Sequence, residues 1–244
     1  MKRTPLQGLL TVVRFNWHFF AIAAGIIVAF ALAGWFLPSP FSWLAWLLAG
    51  LAVAGILIPL AATAYAYDFS AFYNFLWLDP WMENTASAAN IHAGFDETTA
   101  LFRVRYSAAW HVFDFYDPAK HTEVSIRRAR ASATPDPQTI TIFTNHIPLP
   151  DQSLDRALLI LAAHEIRDSR ERAEFFGELR RVVKPGGTII VAEHLRDAAN
   201  VLAYGPGAWH FHTRAAWCQT FSAGGWRIAD ERKANALLTT FLLS

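Results

Sequence analysis

Two long uncharged apolar runs open the chain, and short apolar runs alternating with amphipathic segments fill the remainder. Trp17 to Phe36 carries no acid, Lys or Arg, and a helix of that length, at about 1.5 Å per residue, crosses a hydrocarbon core of roughly 30 Å. Leu37-Pro38-Ser39-Pro40 breaks this helix, and Phe41 to Tyr67 gives a second uncharged run, long enough to span with tilt. Together they read as a helical hairpin. Small residues recur within it, at Gly25, Ala29 and Ala33 and at Gly50 and Ala54, as in closely packed membrane helices and in ordinary membrane composition alike. Tyr65 to Trp81, dense in aromatics, is either an interfacial belt leading off the membrane or a linker packing on the domain that follows.

From Ala88 onward strands and helices alternate. Ala88 to Ile91, Trp110 to Phe113 and Thr139 to Phe143 read as strands, with helices from Thr99 to about Ala109 and over His121-Thr122-Glu123-Val124-Ser125-Ile126-Arg127-Arg128-Ala129-Arg130. Leu154 to Leu161 is a nearly continuous apolar run behind the turn Pro150-Asp151-Gln152-Ser153, which suits a strand buried on both faces. Asp168 to Lys184 is a helix by period. Asp168 or Ser169 caps it, Phe175, Phe176, Leu179, Val182 and Val183 share one face, and Arg180, Arg181 and Lys184 complement the C-terminal dipole. Pro185-Gly186-Gly187 should stop it, with Thr188 to Ala192 as the next strand. A β-α-β unit of this kind requires a right-handed crossover and a parallel sheet.

Charge orients the hairpin. Lys2, Arg3 and Arg14 precede the first span and the turn between spans carries no charge, so the positive-inside rule places the N-terminus, and after two crossings the rest of the chain, in the cytoplasm. Ala31-Leu32-Ala33 also resembles a signal-peptide cleavage site, but cleavage there leaves the second span and the same cytoplasmic domain. The single cysteine, Cys218, excludes an intramolecular disulfide and a Cys-based metal cluster, and no spacing suggests a zinc site. The net charge of +1 and a basic cluster, Arg127, Arg128 and Arg130, without interleaved aromatics do not describe a nucleic-acid surface. That cluster reads as a solvated helix face or a contact for anionic lipid head groups.

The series IPLPDQSLD … ELRRVVKPGGTIIVAE, from Ile147 to Glu193, resembles the second half of class I S-adenosylmethionine-dependent methyltransferases of the type 11-like kind, in which a Leu-Pro-Phe-like turn precedes strand 4 and a Lys-Pro-Gly-Gly turn precedes strand 5. The resemblance runs from about Ala88 to Ser244. It implies an α/β, Rossmann-like seven-stranded sheet, parallel except for an antiparallel last strand, with Trp226 to Glu231 and Leu237 to Leu243 as the closing pair. The organisation expected is a membrane anchor over 1–67, an aromatic linker over 68–87 and a methyltransferase-like domain over 88–244.

The same resemblance implies S-adenosylmethionine as cofactor and assigns its contacts. His92 to Thr99 stands where the family has an acid and alternating glycines; only Gly94 remains, His92 and Asp96 take the other two glycine positions and Asn90 that of the acid. Asp96 and Thr98 would also cap the following helix. Asp114, followed by Phe115, ends the second strand where the family keeps a ribose-binding acid, with Asp117 as its substitute, and Asn145 stands where an acid meets the adenine amino group. His164, after strand 4, is a candidate general base, and Glu165 and Glu193-His194 share its edge; His210 and His212 lie in a loop that walls the acceptor pocket in the family.

The expected function is a membrane-anchored methyltransferase acting on a small lipophilic or lipid-like acceptor at oxygen, sulfur or nitrogen. Its partners would be the bilayer and that substrate, with self-association through the membrane helices. The alternative is a non-catalytic scaffold of the same fold, for which the missing glycines speak. An α/β sheet binding another nucleotide fits less well, because no Gly-rich loop followed by Lys is present.

Overall fold

The apolar front of the chain folds as three helices in the computed structural model, which describes residues 3–132 and 134–244; Lys2, one of the orienting basic residues, lies outside them. Helix α1 spans Gln7–Phe15, α2 Trp17–Phe36 and α3 Phe41–Ala64. Both α2 and α3 are long and apolar enough to cross a membrane, and only 6% and 11% of their apolar windows are buried, so most of their apolar surface is uncovered. Trp35, Phe36 and Trp43 stand bare at their tips. The hairpin closes where Gly34 meets the Trp46 ring: a Cβ at Gly34 would lie 2.8 Å from it. Ala45 and Ala49 are buried on the same helix, whereas Gly25 and Gly50 face open space.

After α3 the chain makes a wide turn over Tyr65–Phe69, a short 3-10 turn over Ala71–Asn74 and the single-turn helix α4, Asp79–Met82. Seven strands follow: β1 Ser87–His92, β2 Ala109–Asp114, β3 Thr139–Thr141, β4 Leu154–Ile160, β5 Val183–His194, β6 Ile228–Lys233 and β7 Leu238–Leu243. They form one sheet in the order β3-β2-β1-β4-β5-β7-β6, with β7 antiparallel to both neighbours. Between them lie α5 Thr99–Arg105, α6 Val124–Ser132, α7 Ser169–Val182, α8 Ala198–Tyr204 and α9 Arg214–Ala223.

Strand side chains alternate between two cores, as the period of two requires. Ala157, Leu159, Ile189 and Val191 face Phe175, Phe176, Leu179 and Trp217 on one side. Leu158, Ile160, Ile190 and Ala192 face Phe72, Phe75, Leu78 and Trp81 on the other. The aromatic segment after the apolar hairpin thus covers a sheet face, and Phe69 and Leu76 are among its few exposed large side chains.

Among the boundaries that differ from expectation, three have a cause in the contacts, while α6 and β6 each start two or three residues late. Helix α5 ends at Arg105, because Ala109 already donates to the Ala86 carbonyl as β2 begins. Strand β3 is three residues long, and Phe143 turns away into a bridge with His146. Pro185-Gly186-Gly187 does not stop α7: the helix ends at Val182, and these residues form an irregular start to β5, where the register jumps from Leu154↔Val183 to Arg156↔Thr188. Gly186 supplies the positive φ of 79° there, and a Cβ at Gly187 would stand 2.9 Å from the Asp155 carbonyl oxygen.

Helix α1 was not anticipated. It lies against the sheet's ligand edge, with Gly8 and Leu9 donating their backbone N–H groups to Asp68 at 2.8 and 2.9 Å. Phe15 packs edge-on to Phe95, and Arg128 of α6 donates to the Phe15 carbonyl.

Candidate active site

In an open α/β sheet ligands bind beyond the carboxyl ends of the strands, where the strand order reverses; here that is the crevice between β1 and β4. A cavity of about 280 Å³ occupies it, walled by His92, Phe95 and Thr98 after β1, by His164 and Glu193 after β4 and β5, and from above by α1 through Thr11 and Phe15.

The loop after β1 is held by side chains instead of glycines. Asp96 Oδ1 accepts from the N–H groups of Thr98 and Thr99 at 2.9 and 3.0 Å, so it caps α5. The buried Asn90 amide donates to Asp96, to Thr98 Oγ1 at 2.9 Å and to Thr99 Oγ1 at 2.6 Å. His92 accepts from Gly94 N at Nδ1, 3.0 Å away, which puts its proton on Nε2, a buried atom with no partner. Burial pushes its pKa below the usual imidazole range, keeping it a neutral donor. Gly94 has φ 87°, and a Cβ there would strike Arg130 Nη1.

Asp114 is buried at the end of β2. One carboxylate oxygen accepts from Tyr116 N at 2.9 Å and the other is paired with Arg130 of α6. The Arg130 side chain is about one-third exposed and runs between Gly94 and Asp114, stacked on Tyr116. Phe115 is a core residue against His121 and Phe175, not part of the cavity wall. Asn145 is exposed in the turn closed by His146 N donating to the Phe143 carbonyl, away from the cavity. Asp117 turns back on its own segment, accepting from Ala119 N.

His164 occupies a 3-10 turn, Ala163–Glu165, directly after β4. Its Nδ1 donates to Glu193 Oε2 at 2.7 Å, and its backbone N–H donates to the other oxygen at 3.1 Å. Burial works against charge on the ring, but Glu193 and Glu165 outweigh it, and the pKa stands well above the usual imidazole range. Burial alone would raise the pKa of Glu165, yet the His164 ring 3.4 Å away pulls it below the usual carboxylate range. His210 reaches the same spot from the 3-10 segment Gly205–His210, its ring centroid 5.1 Å from that of His164, with Glu123, the residue before α6, 3.2 Å from its Nδ1. Arg167 fastens the two segments by donating to the carbonyls of both His164 and His210. His212 points elsewhere: it accepts from the buried Arg172 and packs on Trp217.

Sequence reasoning missed Thr11 and Phe15 of α1, the plug formed by Arg130, and Glu97, which receives Arg3, Gln7 and Tyr73 and so ties α1 to the loop. It also missed the pair in which Tyr67 donates to His194 Nε2 at 2.8 Å. The apolar Leu9, Val12 and Val13, spaced for one helix face between Gln7 and Arg14, would have signalled α1, had the adjacent span not dominated the pattern.

A second cavity of about 760 Å³ adjoins the first. Its walls include Phe20 and Ala23 of α2 and Ile56, Pro59 and Leu60 of α3. Val12, Asn16, Tyr67, Ser125, His210 and Phe211 line both cavities.

Residues 116–191 match the family model described as "Methyltransferase domain"; the match begins after the loop and Asp114. No curated protein matches the chain. Among solved structures, a SAM-dependent methyltransferase from Aquifex aeolicus is 14% identical, with TM-score 0.52, over 71% of this chain and 89% of its own. A second, from Methanosarcina mazei, is 14% identical, with TM-score 0.51, over 69% and 95%. Residues 116–191 thus resemble a methyltransferase domain in sequence, and the seven-stranded sheet shares the fold of these solved structures.

Proposed function

We propose that the protein is a membrane-anchored S-adenosylmethionine-dependent methyltransferase whose acceptor is a small lipophilic molecule arriving from the bilayer. The observation that carries this reading is the adjacency of the two cavities: six residues line both the crevice at the strand ends and the apolar space between α2 and α3. An acceptor dissolved in the bilayer would pass His210 and Phe211 to reach the crevice. The basic flanks Arg3 and Arg14 support a cytoplasmic N-terminus and hence a cytoplasmic active site at the inner membrane.

The crevice fits the cofactor with one adjustment. Gly94 leaves room that only the Arg130 side chain enters, Asp114 offers a buried carboxylate for a vicinal diol, and the unpartnered His92 Nε2–H offers a donor. Arg130, being partly exposed, must swing off Asp114 as the ribose arrives. Asp96 and Asn90 would act indirectly, by holding the loop. Asn145 and Phe115 have no contact role in this reading.

When bound, S-adenosylmethionine supplies an electrophilic sulfonium methyl. The chain's own work is alignment and exclusion of water, with α1 over the crevice and the acceptor presented from the apolar side. His210 would meet the acceptor at the junction of the cavities, and His164 would meet it within the crevice. Carboxylates on both sides of His164 favour its protonated form, so alignment contributes more than base strength.

Calorimetric titration of the detergent-purified protein with S-adenosylmethionine and S-adenosylhomocysteine tests the reading. One-site binding, lost in Asp114→Ala, is expected. A folded protein that binds neither compound would instead be a scaffold of this fold, the reading favoured by the ion pair already closed between Arg130 and Asp114.

A further inference from the structure

We propose that His164, Glu165 and His210 form a binding site for one divalent transition-metal cation of the zinc class. One ligand atom from each residue can be chosen so that all three lie within 4.8 Å of one another, close enough for small side-chain movements to bring them onto a single ion. The residues come from two segments far apart in sequence, the turn after β4 and the 3-10 segment before α9, and Arg167 pins both by their carbonyls.

The surroundings are those of a metal-ligating imidazole. Nδ1 of His164 is fully engaged by the buried Glu193 carboxylate, which fixes the ring and leaves Nε2 pointing toward Glu165, 3.4 Å away. A carboxylate behind the ring is the usual way in which a ligating imidazole is oriented and made more basic. His210 likewise has a carboxylate, Glu123, beside its Nδ1.

Charge points the same way. Glu123, Glu165 and Glu193 converge on this spot, and among the described residues each forms its close ion pair with an imidazole only, never with Lys or Arg. Arg167, the nearest guanidinium tied to the segments, donates to carbonyl oxygens instead. A dication would balance this excess of carboxylates.

Two imidazoles and one carboxylate select Zn²⁺, Co²⁺, Fe²⁺ or Mn²⁺ over Mg²⁺ and Ca²⁺, which prefer oxygen ligands. Three protein ligands leave a coordination position open, and all three residues line the cavity. That position suits an ionisable hydroxyl of the acceptor; this clause alone rests on the transferase reading.

The experiment uses tag-free full-length protein in detergent, stripped with chelator and titrated with Zn²⁺, Co²⁺ and Mg²⁺ without S-adenosylmethionine, so that its outcome is independent of cofactor binding. One equivalent of Zn²⁺ or Co²⁺ should bind, Co²⁺ with visible absorption bands, and Mg²⁺ should bind far more weakly. His210→Ala, in a partly exposed segment that need not disturb folding, and Glu193→Gln should each weaken binding roughly 10–100-fold. His146→Ala, exposed and remote, should leave it unchanged. No stoichiometric binding by the folded wild type, or equal binding by wild type and the His164→Ala/His210→Ala double variant, overturns the proposal.

Discussion

Asp68 grips the first turn of α1 at Gly8: its Oδ1 accepts the Gly8 N–H at 2.8 Å while Oδ2 accepts that of Leu9. Leu6, the residue before the helix, has no side-chain cap to offer, so a carboxylate sixty residues on performs the capping and meets the positive end of the dipole. A side chain at Gly8 would collide with Tyr67, its Cβ 2.4 Å from the Tyr67 Cβ, which explains the close approach. Asp68→Ala should therefore release α1 without unfolding the sheet. Loss of such a cap costs about 1 kcal/mol or somewhat more, close to a tenfold rise in opening. Amide hydrogen exchange should quicken over residues 7–15 and stay slow in β4 and β5; equal acceleration in both would refute a local role for Asp68.

Arg130 competes with the cofactor for Asp114 in the proposed function. Removing it leaves a buried carboxylate that gains by accepting ribose hydroxyls, since an unpaired buried charge is costly. Arg130→Ala should bind S-adenosylmethionine more tightly, by about tenfold, or ~1.4 kcal/mol, while Asp114→Ala loses binding. If Arg130→Ala binds more weakly, Arg130 contacts the cofactor directly and the plug is its ligand.

Stability should fall in mild acid through His194. Burial lowers its pKa to about 4, while Nε2 accepts from Tyr67 and Nδ1 donates to Asn200 and Leu237. The unfolded chain takes up a proton at about pH 6.5, the folded chain only near pH 4, so between these values the unfolded state binds more protons. The contribution is fully present above pH 6.5 and is lost as pH falls toward 4, up to ~3 kcal/mol. His194→Gln should lower stability at pH 7.5 and flatten its slope between pH 6.5 and 4, read from chemical denaturation at each pH. A slope equal to that of wild type would show that other groups carry the acid sensitivity.

The sequence made the sheet legible because buried strands and the amphipathic face of α7 write their periods directly: Leu158 and Leu159 must face opposite cores whatever the rest of the chain does. The site was less legible because its decisive contacts join distant residues. His164 was visible as a residue after a strand, but its engagement by Glu193 and its meeting with His210 arise only when β4, β5 and the segment before α9 converge. Asp114 was placed by the end of β2, yet nothing in the spacing disclosed that Arg130 lies on it. Asn145, chosen by position alone, sits in an exposed turn because β3 ends two residues earlier than its alternating pattern suggests.

The proposed route from the membrane can be tested without touching the crevice. Gly55 lies in α3 and lines only the larger, apolar cavity, and a Cβ there meets nothing within 4 Å, so the space beside it is free. Gly55→Leu improves intrinsic helix propensity by roughly 1 kcal/mol and fills part of that space, so the helix should not suffer. If the acceptor enters between α2 and α3, this variant should keep wild-type affinity for S-adenosylmethionine while transfer of labelled methyl to a total lipid extract falls, on the order of tenfold in kcat/KM, which corresponds to ~1.4 kcal/mol. Undiminished lipid methylation with unchanged cofactor binding would mean that the acceptor reaches His210 from the aqueous side, and the membrane helices would then serve as an anchor alone.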